Sequence, residues 1–236
     1  MTEQDQALLD RWTPERISTL EPLERAGYLF SGELLPDAAH EKNFFLHREL
    51  DSDHVAFLIG ELVGDGLTAL VFRAQLSALF LAHFSRWHVS DKAERQDVRA
   101  LACHMNDLTH TMKLAGWASL KLGLVTFSTG EVALCAPGWK MHHIFRHETR
   151  SQMMLRGSST PSVGTHPAED FDPVCQANRL TLAPGDALLC LGEHQPQKGS
   201  QNPVLNAKIL RHMENPDATL ARTFPYSMVW LLKRRL

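Results

Sequence analysis

Two segments that each join a strand to a tight turn constrain the fold of this chain most strongly. In the first, residues 55–59 form a continuous apolar run of the length typical of a buried strand. Glycines at 64 and 66 then mark a tight turn, and residues 67–87 are almost wholly apolar, which predicts a helix packed against a sheet. An acidic residue, Glu61, therefore lies at the end of the predicted strand. Arg73 and Gln75 interrupt the helix, so the pattern does not indicate a membrane span.

The second segment repeats this arrangement near residue 190. A turn at Ala183-Pro184-Gly185-Asp186 is typical of type II, because proline presets the first torsion angle and glycine accepts the positive φ that follows. The apolar residues 187–191 then predict a buried strand, which leads into Gly192-Glu193-His194. A second acidic residue, Glu193, thus also lies at the end of a buried strand.

The rest of the chain predicts an amphipathic helix, a run of antiparallel strands and a long loop. Asp91 and Glu94 have the spacing of a capping box, and apolar residues recur at helical intervals from 98 to 112, before Gly116. Residues 156–178 are rich in Ser, Thr, Pro, Gly and Asp without periodicity, which predicts a functional flap. Strands are predicted at 121–127, 131–135 and 140–146, a last helix at 202–214, and a closing strand at 226–232.

Composition indicates a single cytoplasmic domain. The 236 residues are 44% hydrophobic, enough to bury a sizeable core, and contain no clear internal linker. A net charge of −3 gives no reason to expect nucleic-acid binding, and the N terminus lacks the basic start and apolar stretch of a secretion signal. The four cysteines are scattered, mostly within apolar runs, and are interpreted as reduced core thiols: Cys103, Cys135, Cys175 and Cys190.

The two segments resemble motifs of the SpoIIE-like branch of the PPM (type 2C) serine/threonine protein phosphatases. In that family a strand ends in Gly-Asp-Val-Ser-Gly-His-Gly before a long apolar helix, and here the chain reads Gly60-Glu61-Leu62-Val63-Gly64-Asp65-Gly66. A family turn of the form Leu-x-Pro-Gly-Asp leads a strand into Tyr-Thr-Asp-Gly, where this chain reads Leu191-Gly192-Glu193-His194. An earlier Gly-Asp of the family is matched by Gly32-Glu33. The resemblance extends from about residue 27 to the C terminus.

The departures from the family fall on its metal-ligand positions. Three aspartates that the family would use as ligands are glutamates here, Glu33, Glu61 and Glu193. A fourth family aspartate, expected near 224–227, is missing, and the Asn-Ala-Gly-His signature is eroded to Cys135-Ala136-Pro137-Gly138. The resemblance therefore marks the three glutamates as candidate ligands of a metal that is bound weakly or lost. The neighbours of this site would be Gly60, Gly64, Asp65, Gly66, Gly192 and His194.

Glutamate keeps the charge of aspartate but has a longer side chain. In such phosphatases two metal ions about 3.5–4 Å apart position the attacking hydroxide, and short carboxylates fix that spacing. A displacement of roughly 1 Å costs on the order of a hundredfold in rate, so three substitutions and a missing ligand predict impaired catalysis. Binding of one Mn²⁺ or Mg²⁺ ion tolerates more change, because magnesium is often held by one or two carboxylates plus water. Without metal, the carboxylates need protons or a nearby cation, such as Arg73 or His194.

The resemblance also implies the architecture. It predicts an α+β fold of the PPM-phosphatase type, an α/β/β/α sandwich in which two mostly antiparallel sheets are flanked by helices. Residues 27–236 would form this domain, with the predicted flap at 156–178 inside it, and residues 1–26 would form a helical lead-in.

Other classes of site fit the sequence less well. The spacing of Gly60, Gly64 and Gly66 also matches the nucleotide-binding turn of short-chain dehydrogenases, but the Tyr-x-x-x-Lys pair of those enzymes is absent. The sequence contains neither a P-loop lysine after Gly66 nor a Gly-x-Ser-x-Gly nucleophile elbow. The histidines near residue 145, at 142, 143 and 147, do not converge on one face of a strand or show zinc-ligand spacing.

Two functions of different class follow from the resemblance. The first is a catalytically impaired phosphatase-fold regulator of bacterial phospho-signalling, in partner switching or sigma-factor control, that binds a signalling protein such as an anti-sigma antagonist. The second is an active Mn²⁺- or Mg²⁺-dependent protein serine/threonine phosphatase that uses Glu33, Glu61 and Glu193 as ligands. Both would act in the cytoplasm without nucleic acid or a membrane, and both are compatible with a homodimer.

Overall fold

The computed structural model describes residues 19–34, 42–64, 66–85, 87, 97–113, 116–139, 141–156, 160–191 and 228–236. Within these ranges the chain divides into two compact units, and each unit contains one antiparallel sheet. The helices are α1 (Gly66–Ser85), α2 (Val98–Thr111) and α3 (Ala168–Phe171). The strands are β1 (Thr19–Arg25), β2 (Tyr28–Leu34), β3 (Asn43–Glu49), β4 (His54–Val63), β5 (Trp117–Thr126), β6 (Glu131–Cys135), β7 (Met141–Arg146), β8 (Ser151–Arg156), β9 (Ala177–Thr181), β10 (Ala187–Leu191) and β11 (Met228–Arg234).

The first unit is built on a five-stranded sheet with the order β3-β4-β5-β6-β9. Its central pair, β4 and β5, is in register over ten residue pairs, from His54 opposite Thr126 to Val63 opposite Trp117. Alternate residues point to opposite sides of a strand, so each strand contributes to two faces. On the face that we call the helix face, residues such as Leu58, Leu62 and Leu122 join the core that the helices cover.

The opposite face of the same sheet, which we call the far face, is also buried. Ile59 and Lys121 are each 0% exposed, and Asn43 and Ser119 are nearly as inaccessible. Glu61 shares this face, because it lies two residues beyond Ile59 along β4. The candidate ligand therefore projects from an otherwise closed surface of the first unit.

Helix α1 confirms the predicted helix after the Gly64 turn. Its buried side chains recur at intervals of three and four residues, so one side of the helix faces the core: Ala69, Phe72, Leu76, Phe80 and Phe84. The other side exposes Leu67, Val71 and Leu81. Among the described residues, α1 is long and apolar enough to cross a membrane by length and composition, but its packed side belongs to the core of the first unit.

The start of helix α2 differs from the prediction. Its N-cap is Asp97, whose carboxylate accepts hydrogen bonds of 3.0 Å from the backbone N–H groups of Arg99 and Ala100. The predicted capping box at Asp91 and Glu94 therefore does not begin this helix, and both residues lie outside the described ranges. Asp97 directly precedes Val98, the first residue of the helix, so its side chain can cap the first turn.

The second unit is built on a six-stranded sheet with the order β1-β2-β11-β10-β7-β8, all of whose pairs are antiparallel. The last strand of the chain, β11, lies in the interior of this sheet. It forms seven residue pairs with β2 and five with β10. Phe30 and Trp230 pack edge to face with ring centroids 6.4 Å apart. The predicted strand at 226–232 is thus confirmed, shifted by two residues.

The predicted turn at 183–186 is confirmed and is held by its aspartate. Gly185 has φ of +86°, in the left-handed region that glycine favours. Asp186 is only 2% exposed, and its carboxylate accepts hydrogen bonds from the Arg146 guanidinium at 2.6 Å and from the backbone N–H of His147 at 2.9 Å and of Ala183 at 3.0 Å. The Pro-Gly-Asp motif therefore has a structural role in positioning the start of β10.

Two predicted segments contain structure that the sequence did not indicate. Residues 19–25 of the predicted helical lead-in form the edge strand β1, and the register with β2 shifts between Leu20 and Leu23, around Pro22. Proline is tolerated there because an edge strand with a bulge does not need its missing N–H. The described part of the predicted flap holds α3 and the buried residues Val163 and Phe171, each 0% exposed.

Candidate functional site

Glu61 is the one candidate ligand whose side chain lies within the described residues. It is partly buried near the end of β4 and is paired in register with Asn43 on β3 and with Ser119 on β5. The Oδ1 atom of Asn43 is buried and has no hydrogen-bond partner among the described residues. The sequence prediction of an acidic residue at the end of a buried strand is therefore confirmed for Glu61.

The glycine before it has a packing role on the other face. A Cβ atom placed on Gly60 would lie 2.1 Å from Cε1 of Phe44, so only glycine allows the Phe44 ring to cover this point of β4. Gly64 forms a bend after β4, and Gly66 is the first residue of α1. The glycines that carry the family resemblance thus shape the strand, the bend and the helix start.

Arg73, one of the cations suggested for the metal-free carboxylates, contacts an aromatic ring on the helix face. Its guanidinium lies over the Phe44 ring, 5.6 Å from the centroid, and burial lowers the pKa of Arg73. Phe44 pairs with Gly60 and belongs to the helix-face core, whereas Glu61 projects from the far face. The sheet therefore separates this guanidinium from the carboxylate.

A different cation, Lys121, lies on the far face with Glu61. Lys121 is 0% exposed, and its Nζ atom is 3.6 Å from the centroid of the Trp139 ring. Lys121 is opposite Ile59, and Ser119 is opposite Glu61, so Lys121 and Glu61 are diagonal neighbours across β4 and β5. The sequence predicts a strand at 121–127 but does not by itself place Lys121 at the site. The available signal is a lysine between Leu120 and Leu122 inside an apolar run, because lysine is rarely buried without a partner.

The segment that follows β6 holds Trp139 in this position. Pro137 accepts a hydrogen bond of 2.9 Å from the Leu120 N–H, and Gly138 has φ of +79°. A Cβ atom on Gly138 would lie 2.5 Å from the Oγ atoms of both Ser119 and Ser162. This close approach requires glycine, and it brings the eroded signature at 135–138 beside Ser119 and the Lys121 contact.

Of the other two candidate ligands, one belongs to the second unit and one lies outside the described residues. Glu33 belongs to the second unit, where its backbone pairs with Thr19 and Val229. Glu193, with Asp65, Gly192 and His194, lies outside the described residues, as do the predicted helix at 202–214 and the missing aspartate position near 224–227. The three-glutamate site thus stays a prediction.

Solved structures of bacterial phosphatase domains superpose on this chain. The RsbU and RsbW domains of Rv1364c from Mycobacterium tuberculosis match with a TM-score of 0.64 and 16% identity, over 89% of this chain and 60% of that one. RsbX in complex with magnesium matches at 0.60 and 11% identity, over 90% and 97%. The PP2C phosphatase domain of SpoIIE from Bacillus subtilis, with a fragment of its regulatory domain, matches at 0.58 and 13% identity, over 99% and 86%. The chain has the PPM phosphatase fold.

The resemblance drawn from the motifs and the predicted fold class are therefore confirmed at the level of the fold. Models of protein families and curated protein sequences gave no match to this chain. The chain spans 60% of the length of the Mycobacterium tuberculosis chain, whose described structure includes two domains. The PPM fold is thus recognised here by topology and a few motifs at low overall identity.

The PPM fold implies a paired-metal centre, and the described side chains supply only one of its candidate ligands, Glu61. They contain no group of three or more His, Cys, Asp or Glu side chains that could hold a metal ion. The described part of the candidate site combines one carboxylate, Glu61, with the buried ammonium of Lys121. A positive charge on the same face of the sheet repels a divalent cation held by Glu61 and therefore opposes metal binding there.

Three of the four cysteines, scattered in sequence, are neighbours in the first unit. The Sγ atoms of Cys135 and Cys175 are 3.6 Å apart, and Cys103 hydrogen-bonds to Cys175. The hydrogen bond from Cys103 alone would lower the pKa of Cys175, but the hydrogen bond to Cys135 and burial outweigh it and raise that pKa to about 12. The hydrogen bond to Cys175 and burial also raise the pKa of Cys103. The three thiols are free, as predicted, and those of Cys103 and Cys175 are protonated at neutral pH.

Proposed function

We propose that this protein is a catalytically impaired PPM-fold regulator in bacterial phospho-signalling that acts in the cytoplasm by binding a signalling protein. The PPM fold supports the phosphatase ancestry of the domain. The observation that carries the proposal is the chemistry at the family's ligand positions, where glutamate replaces aspartate at 33, 61 and 193 and the buried Lys121 shares a sheet face with Glu61. A protein whose hydrolytic centre is altered in this way keeps its surface for recognition.

The class of partner is proposed from the proteins whose structures match this fold. Among the matching structures, one contains RsbU and RsbW domains together, and one reports the bacterial stressosome as a modular system that controls secondary messenger signalling. These associations support a partner in a partner switch or in sigma-factor control, such as an anti-sigma antagonist. Nucleic acid and membranes have no part in the proposal, and a homodimer remains compatible with it.

Hydrolysis assays test the loss of catalysis. The purified protein is incubated with para-nitrophenyl phosphate and with a phosphoserine peptide, each with 0 and with millimolar Mn²⁺, and compared with its Glu61→Ala variant. We expect both proteins to hydrolyse the substrates at the background rate, because carboxylates that are too long misplace the metals. Turnover well above background that Glu61→Ala abolishes would refute the proposal.

A second candidate function is an active Mn²⁺- or Mg²⁺-dependent protein serine/threonine phosphatase. It is favoured by the match to RsbX, whose structure was determined in complex with magnesium. Glu33, Glu61 and Glu193 would be its ligands, because glutamate is a competent oxygen ligand for both metals. It predicts binding of Mn²⁺ at micromolar to low millimolar concentration in calorimetry and the loss of that binding in Glu193→Ala.

One triple variant separates the two functions. Replacing Glu33, Glu61 and Glu193 by aspartate restores the shorter side chains without changing the charge. Activity that rises strongly in this variant, from a measurable wild-type level, supports the active phosphatase. Wild-type and triple-variant rates that both stay at background support the regulator, because the aspartate missing near 224–227 then keeps the site inactive even with the shorter side chains.

A further inference from the structure

We infer that the Lys121 ammonium takes the place of a metal cation beside Glu61, so that this half of the PPM site is charge-balanced without a metal. This inference rests on the proposed function. It names the residue whose charge would replace that of a metal ion at the site. Lys121 is a positioning residue in this role, since it holds the carboxylate of Glu61 in place through charge.

The position of Lys121 on the sheet carries the first step. Glu61 and Ser119 are register partners, as are Ile59 and Lys121, so the two charged residues are diagonal neighbours on the far face. Such diagonal pairs lie within reach of long side chains, because their backbones are about 7–8 Å apart. Both side chains thus extend from the same small area of the first unit.

The surroundings of the ammonium carry the second step. Lys121 is 0% exposed, so its charge is removed from water and must be balanced by other groups. The Trp139 ring at 3.6 Å supplies attraction for a cation, but a ring face bears no formal charge. Glu61 is the partly buried acidic residue that the strand register places nearest on this face.

The geometry of the turn after β6 shows that the ammonium position is built into the fold. The Leu120 N–H bonds to Pro137, Gly138 is pressed against Ser119 and Ser162, and Trp139 follows directly. The backbone N–H of Trp139 donates a hydrogen bond of 3.2 Å to the carbonyl oxygen of Ala136, which closes the turn. The aromatic ring is therefore fixed by backbone contacts over the strand that bears Lys121.

Removing the ammonium should free the site for a divalent cation. We expect the wild-type protein to show no change in melting temperature with 10 mM Mn²⁺ or Mg²⁺. Lys121→Met, which keeps the length of the side chain without the charge, should bind Mn²⁺ at least about tenfold more tightly than the wild type and gain a metal-dependent rise in melting temperature. The gain should disappear in Lys121→Met combined with Glu61→Gln.

Two control variants are included. One keeps a positive charge at residue 121, and the other replaces a lysine outside the site by methionine. Lys121→Arg retains a cation and should stay insensitive to Mn²⁺, and Lys113→Met, at an exposed position after α2, should behave as the wild type. A double-mutant cycle of Glu61→Gln and Lys121→Met, followed by urea unfolding without metal, should show a coupling that differs from zero. If Lys121→Met does not fold, the same cycle is measured with Lys121→Gln, which also removes the charge.

The outcomes distinguish this inference from the proposed function. Zero coupling between positions 61 and 121, or Mn²⁺ binding to the wild type as tight as to Lys121→Met, would overturn the inference even if hydrolysis stays at background. Metal-dependent hydrolysis by the wild type would overturn the proposed function, and with it this inference. Insensitivity of the wild type to metal, together with the gain in Lys121→Met, would support both.

Discussion

At the scale of single residues, Gly60 shows how a motif glycine can serve packing. The Phe44 ring occupies the space that a Cβ atom on residue 60 would fill, because that atom would lie 2.1 Å from Cε1 of the ring. We expect Gly60→Ala to lower the free energy of unfolding by about 1–3 kcal/mol, because the ring has to leave its position in a close-packed core. Urea unfolding at pH 7 measures this. Phe44→Leu in the Gly60→Ala background should recover part of the loss, and a Gly60→Ala protein as stable as the wild type would contradict the packing role.

A second residue, Asp51, joins the turn before β4 to Trp87, which follows α1. Its carboxylate accepts hydrogen bonds from the Trp87 indole N–H at 2.7 Å and from the Asp53 N–H at 2.8 Å, and it contacts His54 Nδ1 at 2.9 Å. Burial alone would raise the pKa of Asp51, but the hydrogen bonds from Trp87, His54 and Asp53 outweigh burial and hold that pKa well below its usual range. The ionised form is therefore the one that the fold binds.

The stability that Asp51 contributes should depend on pH. Because its pKa is lower in the folded than in the unfolded chain, the contribution is fully present above about pH 4 and is lost as the pH falls through the acid range. Asp51→Asn should lower the free energy of unfolding by about 1–3 kcal/mol at pH 7 and by less at pH 3. Urea titrations at both pH values measure the difference. Asp107→Asn, at an exposed position on α2, is the control, and a pH-independent effect of Asp51→Asn would disprove the linkage.

At the scale of elements, the capping of α2 can be tested directly. The two hydrogen bonds that Asp97 accepts satisfy backbone N–H groups that no carbonyl of the helix can reach. We expect Asp97→Ala to cost about 1 kcal/mol of unfolding free energy, whereas Asp97→Ser, which keeps an oxygen acceptor, should cost only a few tenths. Unfolding curves of the three proteins provide the comparison. Equal stability of the alanine and serine variants would mean that the side chain does not cap the helix.

Elements with a strong local signal could be predicted from the sequence, and those that depend on distant partners could not. Strand β6 was predicted at its observed bounds, since an apolar run follows a Ser-Thr-Gly turn. β1 was missed because Pro22 weakens the local strand signal, and only pairing with β2 makes the strand. At the site, Glu61 was predicted from its motif, whereas the role of Lys121 depends on Trp139, which the fold alone brings to its side chain.

At the scale of the whole molecule, the reactivity of the three neighbouring thiols reports on how α2, β6 and the segment after α3 pack together. With a pKa of about 12, Cys175 should react with N-ethylmaleimide at pH 7.5 on the order of a thousandfold more slowly in the native protein than in 8 M urea. Mass spectrometry of the alkylated peptides measures this. Cys135→Ala removes one hydrogen-bond partner and should speed labelling of Cys175. Rapid labelling of native Cys175 would contradict the packing described.

The place of β11 within the six-stranded sheet sets a condition on how the protein is made. β2 and β10 are both hydrogen-bonded to β11, so neither has its inner neighbour until residues 228–234 have been synthesised. A nascent chain on the ribosome would therefore hold β1 and β2 apart from β7, β8 and β10, with unpaired backbone groups open to wrong pairings. The five-stranded sheet has no such requirement, since β9 ends at Thr181. Cotranslational folding should therefore begin in the first unit, and the second should complete its sheet only after the last strand has left the ribosome.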